Sequence, residues 1–114
     1  MLSVDFYHKS NGECPVQEYL ESLSPKLRAK TLRTIMLLEE FGIDLRMPYS
    51  ASIGNGIFEL RSVVGKDITR ILYFFIEGDT AVLTNGFTKK TKKTPVREIE
   101  KANLYRADYY VRNK

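Results

Sequence analysis

Apolar and polar residues alternate from Leu2 to Tyr7, with Leu2, Val4 and Phe6 set against Ser3, Asp5 and Tyr7. That two-residue period predicts a half-buried strand. Ser10-Asn11-Gly12 then supplies turn chemistry, and the period changes. Pro15 suits the first position of a helix, and Val16, Tyr19, Leu20 and Leu23 recur at helical spacing. Ser24-Pro25 pairs a capping residue with a first-position proline, so a second helix starts at once. Leu27, Thr31, Thr34, Ile35, Leu38 and Phe41 fall within about 120° of one another on its wheel, at roughly 100° per residue. Gly42 is placed to be its left-handed stop. Two helices, each with one apolar stripe, predict an antiparallel helical hairpin.

Residues 44–56 show neither period and contain Pro48, Gly54 and Gly56, which predicts a loop. Three strands follow, at about 57–64, 68–77 and 80–88. Thr94-Pro95 repeats the cap-plus-proline signal, and Val96, Ile99, Asn103, Ala107 and Tyr110 define one face of a last helix. The order β-α-α-β-β-β-α over residues 1–114 is that of a single α+β domain with a small, mainly antiparallel sheet. A chain of 114 residues has room for one core and little more.

The turns fix which residues face each other. Gly65-Lys66 as a two-residue hairpin loop, with Gly first as a type II′ turn prefers, sets Arg61 opposite Arg70. Gly78-Asp79 in the same role sets Arg70 opposite Phe87. Arg61, Arg70 and Phe87 then form one row on one face, with Lys89 next on the side of Phe87. Like charges opposed in a sheet cost up to about 1 kcal/mol. Two candidates offset that: Glu59, on the same face two residues from Arg61, or a bound phosphate held in the bidentate way guanidinium allows.

Charge adds to this picture at one place. The formal net charge is +4, and Lys89, Lys90, Lys92 and Lys93 crowd into five positions beside the arginine row. Such a patch attracts nucleic acid or another anionic partner. Lys26, Arg28 and Arg33 on the second helix form a further basic surface. The single cysteine, Cys14, and single histidine, His8, make neither a disulfide nor a nucleophile pair, and they are too few for a zinc site. No apolar run reaches the roughly 20 residues of a membrane span, and no signal-peptide core is present, so a cytoplasmic location without membrane contact is expected.

GIFELR from Gly56, R-x-x-Y-F-F from Arg70, and GFTKKTKKTP from Gly86 followed by VREIEKA resemble the RelE/HigB-type toxins of bacterial toxin–antitoxin modules. The nearest likeness is to their phage-derived HigB-like branch, and it covers nearly the whole chain. The resemblance implies a RelE-like fold and a toxin that cleaves mRNA, often on the ribosome. A cognate antitoxin, expected to be a small helix-turn-helix protein, would hold it inactive. One departure stands out. Relatives often carry a lysine just before the G-x-G run, whereas Tyr49-Ser50-Ala51-Ser52-Ile53 has no basic residue.

RNA cleavage that uses the 2′-hydroxyl as nucleophile needs a base, an acid and stabilisation of the charged phosphorane, but no cofactor. The residue types assign Arg61 and Arg70 to the phosphoryl oxygens, and Lys89 and Lys90 to binding and acid–base duty. Phe87 is assigned to base stacking, Lys92 and Lys93 to the RNA backbone, and Glu59 to RNA binding and, less well, to the role of base. Two other readings stay open: a non-enzymatic toxin that inhibits DNA gyrase, and a phage-derived nucleic-acid-binding module without activity. Acidic residues of an antitoxin are expected on Arg28 and Arg33 or on the lysines of 89–93.

Overall fold

A computed structural model describes residues 2–77, 79–88 and 93–113. Nine elements follow one another: β1 (Ser3–Phe6), α1 (Pro15–Ser22), α2 (Pro25–Phe41), a 3-10 turn (Gly42–Asp44), β2 (Ser50–Gly54), β3 (Ile57–Val64), β4 (Asp67–Ile76), β5 (Thr80–Thr88) and α3 (Val96–Arg112). The α+β class and the three helices agree with the sequence pattern. The five strands lie in the order β1-β5-β4-β3-β2, with β1 parallel to β5 and every other pair antiparallel.

The strand β2 corrects the loop expected over 44–56. Its signal was present in the sequence: Asn55-Gly56 closes a two-residue hairpin, with Gly54 opposite Ile57. Both turn residues have positive φ, 56° and 77°, which is the type I′ geometry that Asn-Gly favours. A short strand of small, mixed residues hides its period, so the turn is the better marker.

Each sheet face has its own cover. Leu60, Ile71, Tyr73, Ala81 and Leu83 meet Val16, Leu20, Ile35 and Leu38 of the helical hairpin. Ile57, Leu72, Phe74, Val82 and Phe87 form the other core with Ala102 of α3 and Tyr7. The buried threonines of α2 are satisfied rather than merely tolerated. Thr31 Oγ1 lies 2.8 Å from Thr69 Oγ1, and Ser62 Oγ donates to Thr34 Oγ1 at 2.9 Å. Phe41, expected in the same stripe, is half exposed at the helix end. Gly42 ends the helix at φ 55° and ψ −130°, so it stops the chain with positive φ but outside the left-handed helical region.

The inner face of α3 is also rotated from the one expected. Val96, Ala107 and Tyr110 are exposed, while Glu98 and Ala102 are buried and Tyr105 and Tyr109 pack against the core. Tyrosines and a glutamate do not register as an apolar stripe, yet their polar ends find partners. Tyr109 OH donates to Asp5 at 3.0 Å, and the Glu98 carboxylate accepts from Asn85 Nδ2 at 3.1 Å. Tyr7 OH donates to Asp108 at 2.6 Å. That hydrogen bond, and next Arg112, hold the Asp108 carboxyl below the usual carboxylate range.

Arg28 is a structural cation. Its Nε donates to Leu20 O at 2.9 Å, and its Nη2 donates to Glu21 O and Leu23 O, both at 3.0 Å. It thus joins the Leu23 N–H on Leu20 O and satisfies the carbonyls of Glu21 and Leu23 at the end of α1. Arg28, expected as an exposed cation, is thus half-buried and engaged within the fold. Arg33 remains exposed.

Gly86 marks a close approach between layers. A Cβ there would lie 2.3 Å from Tyr19 Cδ2 and 2.9 Å from Tyr19 Cγ, and the ring is fixed by a 2.6 Å hydrogen bond between its hydroxyl and Thr88 Oγ1. Gly86→Ala should therefore destabilise the protein by about 1–3 kcal/mol, the usual penalty of overpacking. Thermal or urea melts of Gly86→Ala, Tyr19→Ala and the double variant check this: removing the ring should relieve most of the cost of the methyl. Additive losses would show that the clash is not its source.

Candidate nucleic-acid interface

The row predicted from the turns exists. Arg61 pairs with Arg70, and Arg70 pairs with Phe87. The first hairpin forms as expected: Val64 faces Asp67 across Gly65-Lys66, and Gly65 has φ 60°. The second reaches the same register by another route. Ile76 pairs with Thr80, so three residues rather than two turn the chain. An irregularity between Leu72 and Tyr73, where β5 carries Thr84 as an extra residue, then restores the pairing of Arg70 with Phe87.

The row faces α3, and the centre of the site is Glu59. This carboxylate is buried and accepts from Arg70 Nη1 at 3.2 Å and from Thr94 Oγ1 at 2.5 Å. Arg61 Nε lies 3.7 Å from its other oxygen. Arg70 is 0% exposed and Arg61 keeps 20% of its side-chain surface. The like-charged neighbours are thus offset by an internal acid, one of the two solutions the sequence allowed. Glu59 reaches Arg70 on the diagonal, since its directly paired residues are Ala51 and Leu72.

Above Glu59 and Arg61 opens a cleft of about 360 Å³, walled by Met47, Ala51, Ser52, Ile53, Lys93, Thr94 and Ile99. The residues fall into two groups. Arg61, Lys93 and Glu59 line the cleft, whereas Arg70 stands behind them as a fully buried partner of Glu59. Phe87 is only 9% exposed and belongs to the core under α3, so its ring packs rather than offering a stacking face. Lys89, Lys90 and Lys92 lie outside the described residues.

Two contributors escaped sequence reasoning. Thr94 looks like the cap of α3, but the cap position is Pro95 with no side-chain bond, and the Thr94 hydroxyl goes to Glu59 instead. The strand β2 provides the opposite wall, and Ala51, Ser52 and Ile53 are the positions where a basic residue is missing. Nothing local in the sequence distinguishes a helix-capping threonine from one that donates across to a sheet. Among the described residues no group of three or more His, Cys, Asp or Glu side chains could hold a metal ion. No described helix is long and apolar enough to cross a membrane.

Residues 18–106 match the model of the family described as phage derived protein Gp49-like (DUF891). The chain belongs to that family, a toxin-like one. No curated protein matches it.

The site makes a stability prediction. Glu59→Ala would leave Arg70 buried without its acid, and breaking one partner of a buried pair costs about 3–5 kcal/mol. Arg70→Ala should destabilise comparably, because it leaves the carboxylate behind. Arg61→Ala, at a partly exposed pair, should cost less than about 1 kcal/mol. Urea unfolding of the three variants measures this ordering; equal and small losses would mean that the buried pair is not what holds the sheet together here.

Proposed function

We propose that this chain is the toxin of a RelE/HigB-type toxin–antitoxin pair and an endoribonuclease that cleaves mRNA, on the ribosome, until an antitoxin binds it. The observation that carries the reading is the cationic cleft. Arg61 and Lys93 line it, and a buried Glu59–Arg70 pair holds its floor. Membership of a phage-derived, toxin-like family supports the reading.

In the proposed reaction the 2′-oxygen attacks the adjacent phosphorus. The O2′–P bond forms, the P–O5′ bond breaks, and the products are a cyclic 2′,3′-phosphate and a free 5′-hydroxyl. The proton of the 2′-hydroxyl passes to a base, and a proton reaches the departing 5′-oxygen. Arg61 and Lys93 neutralise the phosphoryl oxygens as charge builds there. Arg70 acts through Glu59, which positions the Arg61 guanidinium, and so is a positioning residue. Glu59 already accepts two hydrogen bonds and meets a second cation, which favours positioning over proton transfer. Acid–base duty is assigned to Lys89 and Lys90. A cleft with no histidine gains from a ribosome that orients the RNA.

A second reading has its own observation. The wall formed by Ala51, Ser52 and Ile53 carries no cation, which favours a nucleic-acid-binding module that has lost cleavage.

Induction of the chain in a bacterium should stop growth with rapid loss of full-length mRNA. With purified protein, programmed ribosomes and RNA, Arg61→Ala should lower the cleavage rate about a hundredfold, the loss typical of one charge-stabilising donor. Its melting temperature should stay close to that of the parent chain. Intact transcripts in arrested cells would refute cleavage, and arrest accompanied by lost DNA supercoiling would point to gyrase. Full-rate cleavage by a folded Arg61→Ala would remove Arg61 from the mechanism.

A further inference from the structure

The free edge of β5 opens a slot between α1 and α3. It measures about 370 Å³, with Pro15 and Tyr19 of α1 on one side and Tyr105 of α3 on the other. Asn85, Gly86 and Glu98 form its floor, and Lys9, Glu18 and Lys101 stand at its rim. No residue that lines it also lines the cleft at Glu59.

The backbone of Gly86 distinguishes this slot from an ordinary polar groove. Tyr7 N–H donates to Leu83 O at 3.0 Å, the last contact along the β1 side of β5. The main-chain groups of Leu83 therefore face that edge, and every second residue of a strand shares the direction. The extra residue Thr84 shifts the alternation by one. Asn85 thus bonds inward to Leu72, and the N–H and C=O of Gly86 face the edge. Beyond Tyr7 the chain turns back on itself, closed by Lys9 N–H to Glu13 O at 2.8 Å. No strand lies beside Gly86 on that side. Among the described residues, none bonds to its N–H or C=O from there. A partly exposed donor and acceptor of one residue are left side by side between aromatic walls.

We propose that this slot binds an adenine nucleotide unit, with the base on the Gly86 edge and the phosphate at Lys9 and Lys101. The 6-amino group donates to Gly86 O, and the adjacent ring nitrogen accepts from Gly86 N–H. Guanine and uracil instead set a carbonyl oxygen against the Gly86 carbonyl and the Glu98 carboxylate, acceptor facing acceptor. The floor is fixed in advance, because Glu98 accepts from Asn85 Nδ2 at 3.1 Å and lies 3.6 Å from Lys101 Nζ. Tyr105 is held by Tyr7, stacked at 4.7 Å, and Lys9 Nζ lies 5.9 Å from its ring centre. Aromatic rings at this spacing give a base its stacking surface. Glu18, on α1, leaves the α3 side of the rim to the phosphate. The same chemistry comes as a free mononucleotide or as one residue of an RNA strand. A strand crossing the start of α3 passes both sites, since Thr94 and Ile99 line the cleft and Glu98 and Lys101 the slot. The inference does not rest on RNA cleavage.

The test is an NMR titration of the isotope-labelled full chain with AMP, GMP and UMP, and with 2′-O-methyl oligoadenylate, which carries no attacking hydroxyl. AMP should shift the amides of Gly86, Lys101 and Tyr105 and bind about tenfold more tightly than GMP or UMP, the effect of one matched against one opposed polar pair. The Lys9→Ala/Lys101→Ala variant should bind AMP about tenfold more weakly, through lost charge-assisted contacts, with an unchanged melting temperature. Tighter binding of oligoadenylate than of AMP, with shifts that extend to Arg61, identifies an RNA strand as the source. Equal affinity for the two identifies a free nucleotide. Equal affinity for AMP, GMP and UMP would reduce the slot to phosphate attraction and overturn the proposal. So would shifts centred away from Gly86, or undiminished binding by the folded variant. Cleavage assays on Arg61 variants read the other site, so failure there leaves this result standing.

Discussion

The buried pair of Glu59 and Arg70 is the constraint around which the α3 side of the sheet is arranged. A fully buried guanidinium is tolerable only with an acid at hand, and Arg70 has one at 3.2 Å. Satisfying Arg70 places Glu59 under the cleft. Glu59 in turn draws in the Thr94 hydroxyl and so ties the approach to α3 to the sheet. Arg61, the outer cation of the same row, is left at the cleft wall with part of its side chain accessible. The interaction that stabilises the sheet is therefore the one that aims a cation outward.

This arrangement separates support from contact. Arg70 and Phe87, which share a row with Arg61, are covered by α3 and the core. The surface that meets solvent in the cleft comes instead from β2, from Lys93 and from the first turn of α3. The charge at the cleft is thus carried by Arg61 on the sheet and by Lys93 beside α3, while the core beneath stays covered.

Much of this was legible in the sequence because strand pairing is arithmetic once the turns are known. Gly65 and the alternation around it determined that Arg61 faces Arg70. The pairing of Arg70 with Phe87 was reached on a two-residue turn, whereas the chain uses a three-residue turn and an extra residue at Thr84 that cancel each other. Bulges leave little trace in composition. The strand β2 was missed for a different reason: its five residues, SASIG, are too short and too small for a period to emerge. The turn Asn55-Gly56 was the stronger signal, and it is clasped in the fold by Arg106, whose Nη1 donates to Asn55 O at 2.6 Å.

By itself the sequence determined the α+β class, the helical hairpin, the antiparallel strands and the row of two arginines, because periodicity and turn chemistry are local properties. Only the tertiary structure decided which face α3 covers, and hence that Arg70 and Phe87 are buried while Arg61 is not. The inner stripe of α3 is Glu98, Ala102, Tyr105 and Tyr109, and the polar ends of Glu98 and Tyr109 are satisfied by Asn85 and Asp5, distant in the chain. Only the fold, too, turned Thr94 from a helix cap into a partner of Glu59 and Arg28 from a surface cation into a partner of the carbonyls at the end of α1. A hydrogen-bonding side chain takes the partner that is geometrically nearest when the layers close, and that distance is a property of packing rather than of any stretch of sequence.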